Sequence, residues 1–399
     1  MYDAIVVGAR CAGSSTAMLL ARLGYRILMI DRATFPSDTM STHWIHQPGL
    51  ASLKRWGLLE RVLQTSAPVI DKVTFDFGPL ALSGCSPAVD GVGYACAPRR
   101  TILDQIILDA AVEAGVEVRQ GVAVQDVVRD GSGAVVGVRA SAAGGKATEE
   151  RAKIVIGADG MHSPIARLVE APIYNEVPSL TTFYYSYWSG VSADGVEMCP
   201  REHRGVGLIP TNDGLVCAGA AWHAHEFSEF RTDVEGNLMR TFDLVPGFGE
   251  RLRAGRREEP IRGTANQPNF FRKPFGRGWA LVGDAGYYRD AITAQGISDA
   301  FRDAELLAGA IDDGFSRRRP LEKSLADYEL TRNEAVEPMY AFTVELARLA
   351  TPPLDLAQLL AALVGNQTQT DRFLGVVAGA VPIPDFFAPD NVRAILQAA

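Results

Sequence analysis

Three short stretches of this sequence join an aspartate to glycines at spacings that suit a phosphorylated cofactor. The first runs from Gly8, through Ala9, Arg10, Ala12 and Gly13, to Asp31 and Arg32, with Asp31 placed 23 positions after Gly8. The second is Gly157-Ala158-Asp159-Gly160, and the third is Gly283-Asp284-Ala285 followed by Gln295-Gly296-Ile297. Glycines at a strand-to-helix turn let backbone N–H groups approach a pyrophosphate, and the helix N-terminus adds a partial positive charge. An acid roughly 20 residues further on suits the hydroxyls of an adenosine ribose. The usual pattern, G-x-G-x-x-G, has a middle glycine where this chain has Arg10; a guanidinium there could replace lost proximity with charge.

Strands and helices must hold these groups together. Ala4 to Val7 is the short apolar run expected of a strand buried on both faces of a parallel sheet. A helix follows whose small residues Gly13 and Ala17 can lie close to that sheet, and Arg26 to Ile30 is the next strand. Ile154 to Ile156 delivers Asp159 to a helix that starts near Ser163-Pro164, a good cap and first-turn pair. Trp279 to Val282 delivers Asp284, and a helix follows from Ile297 to Leu307. Strand ends are where such sheets build ligand crevices. The hydroxyl-rich segment Phe35 to His43 is a loop placed to lie over the ligand. Spacing predicts further helices over Leu50–Leu63 and Ile102–Ala114, and a meander over Val122–Val128 and Ala134–Ala140.

From Ala171 to Gln267 the texture changes to alternating aromatic and β-branched residues, an antiparallel sheet with Phe183, Tyr185 and Tyr187 on one face and Tyr184 and Trp188 on the other. The expected class is therefore α/β. A dinucleotide domain with a parallel sheet (1–65, 97–170 and 268–310) is interleaved with an antiparallel-sheet substrate domain (66–96 and 171–267). A helical tail (311–399), kinked at Pro338, completes the chain.

Composition excludes several classes. A net charge of −8 argues against a nucleic-acid surface, and no apolar run approaches a membrane span, so no stable membrane association is expected. The sequence opens without a basic leader, which implies a cytoplasmic location. Five cysteines without C-x-x-C spacing indicate neither a disulfide framework nor a zinc site, and His223, His225 and Glu226 lack the clustered partners of a metal centre, so no metal is expected. No oligomeric state can be read from the chain.

Taken in order, each opening where a strand ends, the three motifs resemble those of the class A FAD-dependent monooxygenases, the superfamily of para-hydroxybenzoate hydroxylase, with geranylgeranyl reductases and flavin halogenases as relatives. The resemblance covers residues 1 to 310 and implies a glutathione-reductase-type FAD domain. It implies that Asp31 holds the adenosine ribose, Arg100 the phosphate or ribityl region and Asp284 the ribityl chain. Gly296-Ile297 would face the flavin's pyrimidine edge, and Ser41 and Thr42 would lie beside the isoalloxazine ring. Gly8, Ala9, Arg10, Ala12, Gly13, Arg32, Val124, Asp159, Gly160, Gly283 and Gln295 complete the implied cofactor set. The chain departs from the family pattern at Tyr287 and Ala291, where histidine and proline are usual, and at Ala294, usually glycine. The implied reaction takes NAD(P)H as a transient reductant, forms a flavin C4a-hydroperoxide from O2, and oxygenates a small, aromatic molecule. His43, His223 and Tyr288 are the candidates for moving its protons. A carbon–carbon double-bond reductase is the alternative, and a noncatalytic dinucleotide-binding protein a further one. The halogenase option is disfavoured, since tryptophans 44, 56, 188, 222 and 279 form no W-x-W pair.

Overall fold

A computed structural model describes residues 1–398. Its N-terminal unit is β1 (Tyr2–Val7), α1 (Cys11–Arg22) and β2 (Ile27–Asp31). β3 (Thr148–Gly157) pairs in parallel with the other edge of β1, and β4 (Trp279–Leu281) in parallel with β3. The sheet runs Phe275–Gly276, β4, β3, β1, β2, Glu117–Gln120. Register decides function here. Val7 lies opposite Ile30 on one side and Gly157 on the other, and Gly157 lies opposite Leu281. Four parallel strands therefore end together at one end of the sheet, where Asp31 closes β2, and Asp159 and Asp284 follow β3 and β4.

The near-continuous apolar runs still alternate between two cores. Ala4, Val6, Met29, Ile154 and Ile156 face a helical layer, which includes α1, α3 (Arg100–Glu113) and α4 (Gly296–Phe315). Ile5, Val7, Leu28, Ile30 and Val155 face the meander Val122–Arg129 and Val135–Ala142. Two glycines make the helical layer fit this tightly. A Cβ on Gly13 would stand 1.8 Å from the Gly8 carbonyl oxygen, and one on Gly283 would stand 2.7 Å from Ala12 Cβ. The first motif thus touches the third directly.

The second sheet is antiparallel around Thr181–Ser189, which pairs with Val216–His223; Arg204–Pro210 and Val196–Arg201 follow, and Val73–Asp76 joins in parallel. Tyr184 and Trp188 pack with Phe230, Phe242 and Phe248 on one face. Phe183, Tyr185 and Tyr187 pack with Trp44, Ala97 and Ile209 on the other, the split that alternation implies.

Three expectations change. Leu50–Leu63 is not one helix: α2 (Gln47–Arg55) stops, Gly57 turns the chain at φ 75°, and a short helix takes Leu59–Leu63. A left-handed residue cannot continue a right-handed helix. α3 begins two residues before its expected start, which makes Arg100 its first residue, and α4 reaches Phe315 rather than Leu307. α5 (Leu321–Ala347) continues through Pro338. The rest of the tail, including α6 (Gln367–Ala378), packs on the Val73–Gly84 hairpin through Phe75, Leu82 and Phe373; its last residue, Ala399, lies outside the described residues. Among those residues no helix is long and apolar enough to cross a membrane.

Candidate functional site

The crevice along the sheet edge has two ends. At the first, α1 opens with no side-chain cap and no acid in its first turn, so its leading N–H groups are left for a ligand. Asp31 is fixed beside this turn, accepting from Ala9 N at 2.6 Å and Ala33 N at 2.7 Å. Arg10 does not reach over the glycine turn. Its guanidinium donates to Asp104 Oδ2 (2.7 Å), to the Ser37 oxygens (3.1 and 2.9 Å) and to the Asp38 carbonyl (3.1 Å), and it lies 5.4 Å from the Phe35 ring centre. It fastens the loop after β2 to α3.

Asp104 is the residue that sequence reasoning missed. It is 1% exposed and accepts from Arg10, twice from Arg100 (both 3.0 Å), and from the Cys11 thiol (3.3 Å). The available signal was its position four residues after Arg100 on an otherwise apolar helix face. Arg100 keeps Nη1 without a protein partner among the described residues, so the two N–H groups on that nitrogen remain for a ligand.

Asp159 turns back on its own chain. It accepts from Ser163 Oγ and from Ile165 N (2.9 Å), while Ser163 Oγ caps the helix Pro164–Leu168 by accepting from Ala166 N. Burial raises its carboxyl above the ordinary range. Gly160 beside it sits at φ 81° with open space where a Cβ would go. Arg32 is exposed, and Val124 packs at the margin of the meander core.

At the second end the polar groups are left unpaired. Asp284 has no hydrogen-bond partner among the described residues; burial raises its carboxyl to about 7, against the pull of Arg100 and with a push from Asp299 and Asp303. Burial likewise raises the Tyr288 phenol, with Asp284 and Asp290 adding to it. α4 starts without a side-chain cap, and a Cβ on Gly296 would meet nothing within 4 Å, so this entrance is open. Ala294 sits in the left-handed region (φ 52°, ψ 33°), which explains why glycine is usual there. Gln295 turns away and donates from Nε2 to the Val377 carbonyl of α6 at 2.6 Å, so the tail braces this turn.

The loop over the crevice brings Ser41, Thr42 and His43 to the aromatic face of the second sheet. Ser41 N donates to Tyr185 Oη at 3.2 Å, and Ser41 Oγ accepts from His43 N at 3.0 Å. His43 is fully buried at φ 62°, with Nε2 hydrogen-bonded to Tyr187 Oη and Nδ1 unpartnered. Burial, and then the charges of Arg100, Arg99 and Arg262, hold its ring well below the usual imidazole value, so it is neutral. The Arg99 guanidinium covers the Tyr187 ring at 3.8 Å. His223 is not brought to this site: its ring pairs with His203 (3.3 Å) and stacks on His225, beside the Arg204–Glu226 ion pair.

Comparison with known proteins gives the family. Residues 1–232 match the family described as "FAD binding domain". The rifampicin monooxygenase of Streptomyces venezuelae is 24% identical over 385 residues, 91% of this chain and 75% of that one. Digeranylgeranylglycerophospholipid reductase 1 of Methanococcoides burtonii is 26% identical over 341 residues, 82% and 78% of the two chains. Among solved structures, the flavin-dependent brominase Bmp2 superposes with a TM-score of 0.80 at 19% identity, covering 99% of this chain and 98% of its own. The uncapped starts of α1 and α4, the open side of Gly296 and the unpaired Asp284 fit the phosphates, ring edge and hydroxyls of such a cofactor.

Proposed function

Since the chain belongs to the FAD binding domain family and is an FAD-dependent oxidoreductase, we propose that it is a monooxygenase, one that uses NAD(P)H and O2 to oxygenate a small aromatic molecule. FAD, when bound, supplies the two-electron chemistry with NAD(P)H and O2. The protein's residues divide the remaining work. Backbone groups of Gly8, Ala9, Ala12 and Gly13 hold the pyrophosphate, Asp31 the adenosine ribose, Arg100 Nη1 the phosphate or ribityl region, and Asp284 the ribityl hydroxyls. Gly296 and Ile297 meet the pyrimidine edge. Gly283 permits the close approach of α1, and Asp159, Gly160 and Gln295 brace the surrounding turns. Ser41, held against Tyr185, and Thr42 would lie beside the ring.

One observation carries the proposal beyond FAD binding. A fully buried, neutral histidine, His43, touches the aromatic sheet face through Tyr187 and keeps a second ring nitrogen unpartnered. Whichever tautomer it adopts, Nδ1 is a desolvated proton donor or acceptor beside apolar, aromatic walls. That suits a phenolic or amino-aromatic substrate, whose ring becomes electron-rich when its proton is drawn away. Tyr288, a buried phenol that feels the charge of Asp284, is the second candidate for holding a proton.

The test is NAD(P)H oxidation by the purified yellow protein in the presence of candidate aromatics. A monooxygenase consumes O2 in step with NAD(P)H and yields a product heavier by one oxygen atom. Equal substrate turnover without air would instead establish a double-bond reductase, the activity that the name of the Methanococcoides relative carries.

A further inference from the structure

Asp284 is assigned the ribityl contact above, yet its carboxyl has no hydrogen-bond partner among the described residues, so its position is set by the backbone of the turn that carries it. That backbone is held at three carbonyls, on both sides of Asp284, by side chains from outside the three motifs. Tyr328 Oη donates to the Leu281 carbonyl at 3.0 Å, and Arg332 Nη1 donates to the Gly286 carbonyl at 3.1 Å. Arg272, at the end of the buried strand Asn269–Arg272, donates from Nη1 to the Ala285 carbonyl at 3.0 Å and from Nη2 to the Met161 carbonyl at 3.1 Å. It thereby ties the turn of Asp284 to the turn that follows Asp159.

Two of these holders belong to the tail. Tyr328 and Arg332 are four residues apart on α5, so they lie on one face of the helix and reach the chain before and after Asp284. α5 lies wholly beyond residues 1–232, the part matched to the FAD binding domain family. Arg332 is fully buried, and its partners are uncharged: besides Gly286, its Nη2 donates to the Arg272 carbonyl (3.4 Å), Tyr174 Oη (3.3 Å) and Asn333 Oδ1 (2.8 Å). The Gly286 carbonyl accepts from Arg272 N as well, at 2.9 Å. A Cβ on Gly286 would stand 3.0 Å from Arg332 Nη1, so glycine is what lets the guanidinium come this close. A buried cation without a carboxylate returns little stability for its lost hydration, but a planar fork laid on two carbonyls fixes both in place.

We infer that Arg332, together with Tyr328, is a positioning residue for the cofactor: from a buried place on α5 it sets the direction of Asp284, and so the affinity for the ribityl part of FAD. The inference rests on Asp284 meeting the ribityl chain and not on the monooxygenase reading.

Dilution of the purified yellow full-length protein, with released FAD read by its fluorescence, gives the dissociation constant for FAD, and displacement by ADP reports the phosphate end separately. Arg332→Lys should raise the FAD constant about fivefold or more and leave the ADP constant unchanged. Tyr328→Phe removes one hydroxyl and keeps the volume of the side chain; it should raise the FAD constant about threefold, and it keeps the test decisive if Arg332→Lys does not fold. In an Asp284→Asn background both substitutions should lose their effect, because residues that act through one group are not additive. An ADP constant that rises in step with the FAD constant, or effects that persist in full in the Asp284→Asn background, would make α5 a general scaffold and overturn the inference. Unchanged FAD affinity in either folded variant, with Asp284→Asn weakened, would overturn it alone. Unchanged FAD affinity in Asp284→Asn would instead remove Asp284 from the cofactor site, and the inference with it.

Discussion

The two ends of the crevice treat their polar groups in opposite ways. At the phosphate end each acid is already paired: Asp31 with the Ala9 and Ala33 amides, Asp104 with Arg10, Arg100 and Cys11. At the other end Asp284 and His43 Nδ1 have no partner among the described residues. Paired groups hold geometry fixed before a ligand arrives; unpaired ones are held at a cost that a ligand relieves. The contrast separates a paired, rigid end from an unpaired, open one within one cleft.

Asp104→Ala breaks the clamp and has the largest expected effect. Removing one partner of a buried ion pair costs about 3–5 kcal/mol, read as a lowered urea midpoint together with loss of copurified flavin. Next in size is Gly13→Ala, whose methyl would collide with the Gly8 carbonyl at 1.8 Å; about 3 kcal/mol of destabilisation is expected by the same assay. Asp284→Asn should behave differently. It removes no protein contact, so stability at pH 7 stays the same or rises, while the dissociation constant for FAD rises by roughly tenfold or more through loss of a charge-assisted hydrogen bond. Should Asp104→Ala and Asp284→Asn destabilise equally, the distinction between the two ends is false.

A pH series on flavin-free protein sharpens it. The Asp284 carboxyl lies at about 7 in the folded chain and 3.8 as a reference, so the native state keeps a proton that the unfolded state releases. Its contribution is complete below pH 3.8 and is lost as pH rises toward 7, flattening above that. In Asp284→Asn this share of the slope should vanish, leaving that of the other buried carboxyls, among them Asp290, which burial raises to about 6. The smallest effect belongs to Ala294→Gly, which relieves a left-handed alanine and should stabilise by about 0.5 kcal/mol, the left-handed penalty less the added chain entropy of glycine. No change in thermal midpoint would mean that the turn is not strained.

Much of the scaffold was legible because its signals are local. Apolar runs ending in glycine and aspartate mark strands that feed a crevice, and alternation in Thr181–Ser189 assigned each aromatic to its face. Local signals fail where one residue decides. Gly57 divides a periodic stretch, and the pattern at Arg10 suggested a phosphate ligand where tertiary contacts made a loop clamp. His43 and His223 were indistinguishable by sequence. Only packing buried the first against Tyr187 and put the second among other histidines.

The chain by itself determined three glycine–aspartate motifs and their strand–turn–helix settings, since these depend on residue type and short spacing. Tertiary structure alone decided that β2, β1, β3 and β4 lie side by side in a register that brings three aspartates to one end of the sheet, and that the Asp104 cluster closes one end of the crevice while the other stays open. Register and burial are properties of pairs of segments far apart in sequence, and the free energy of each charged group is set by whichever neighbours those pairings supply.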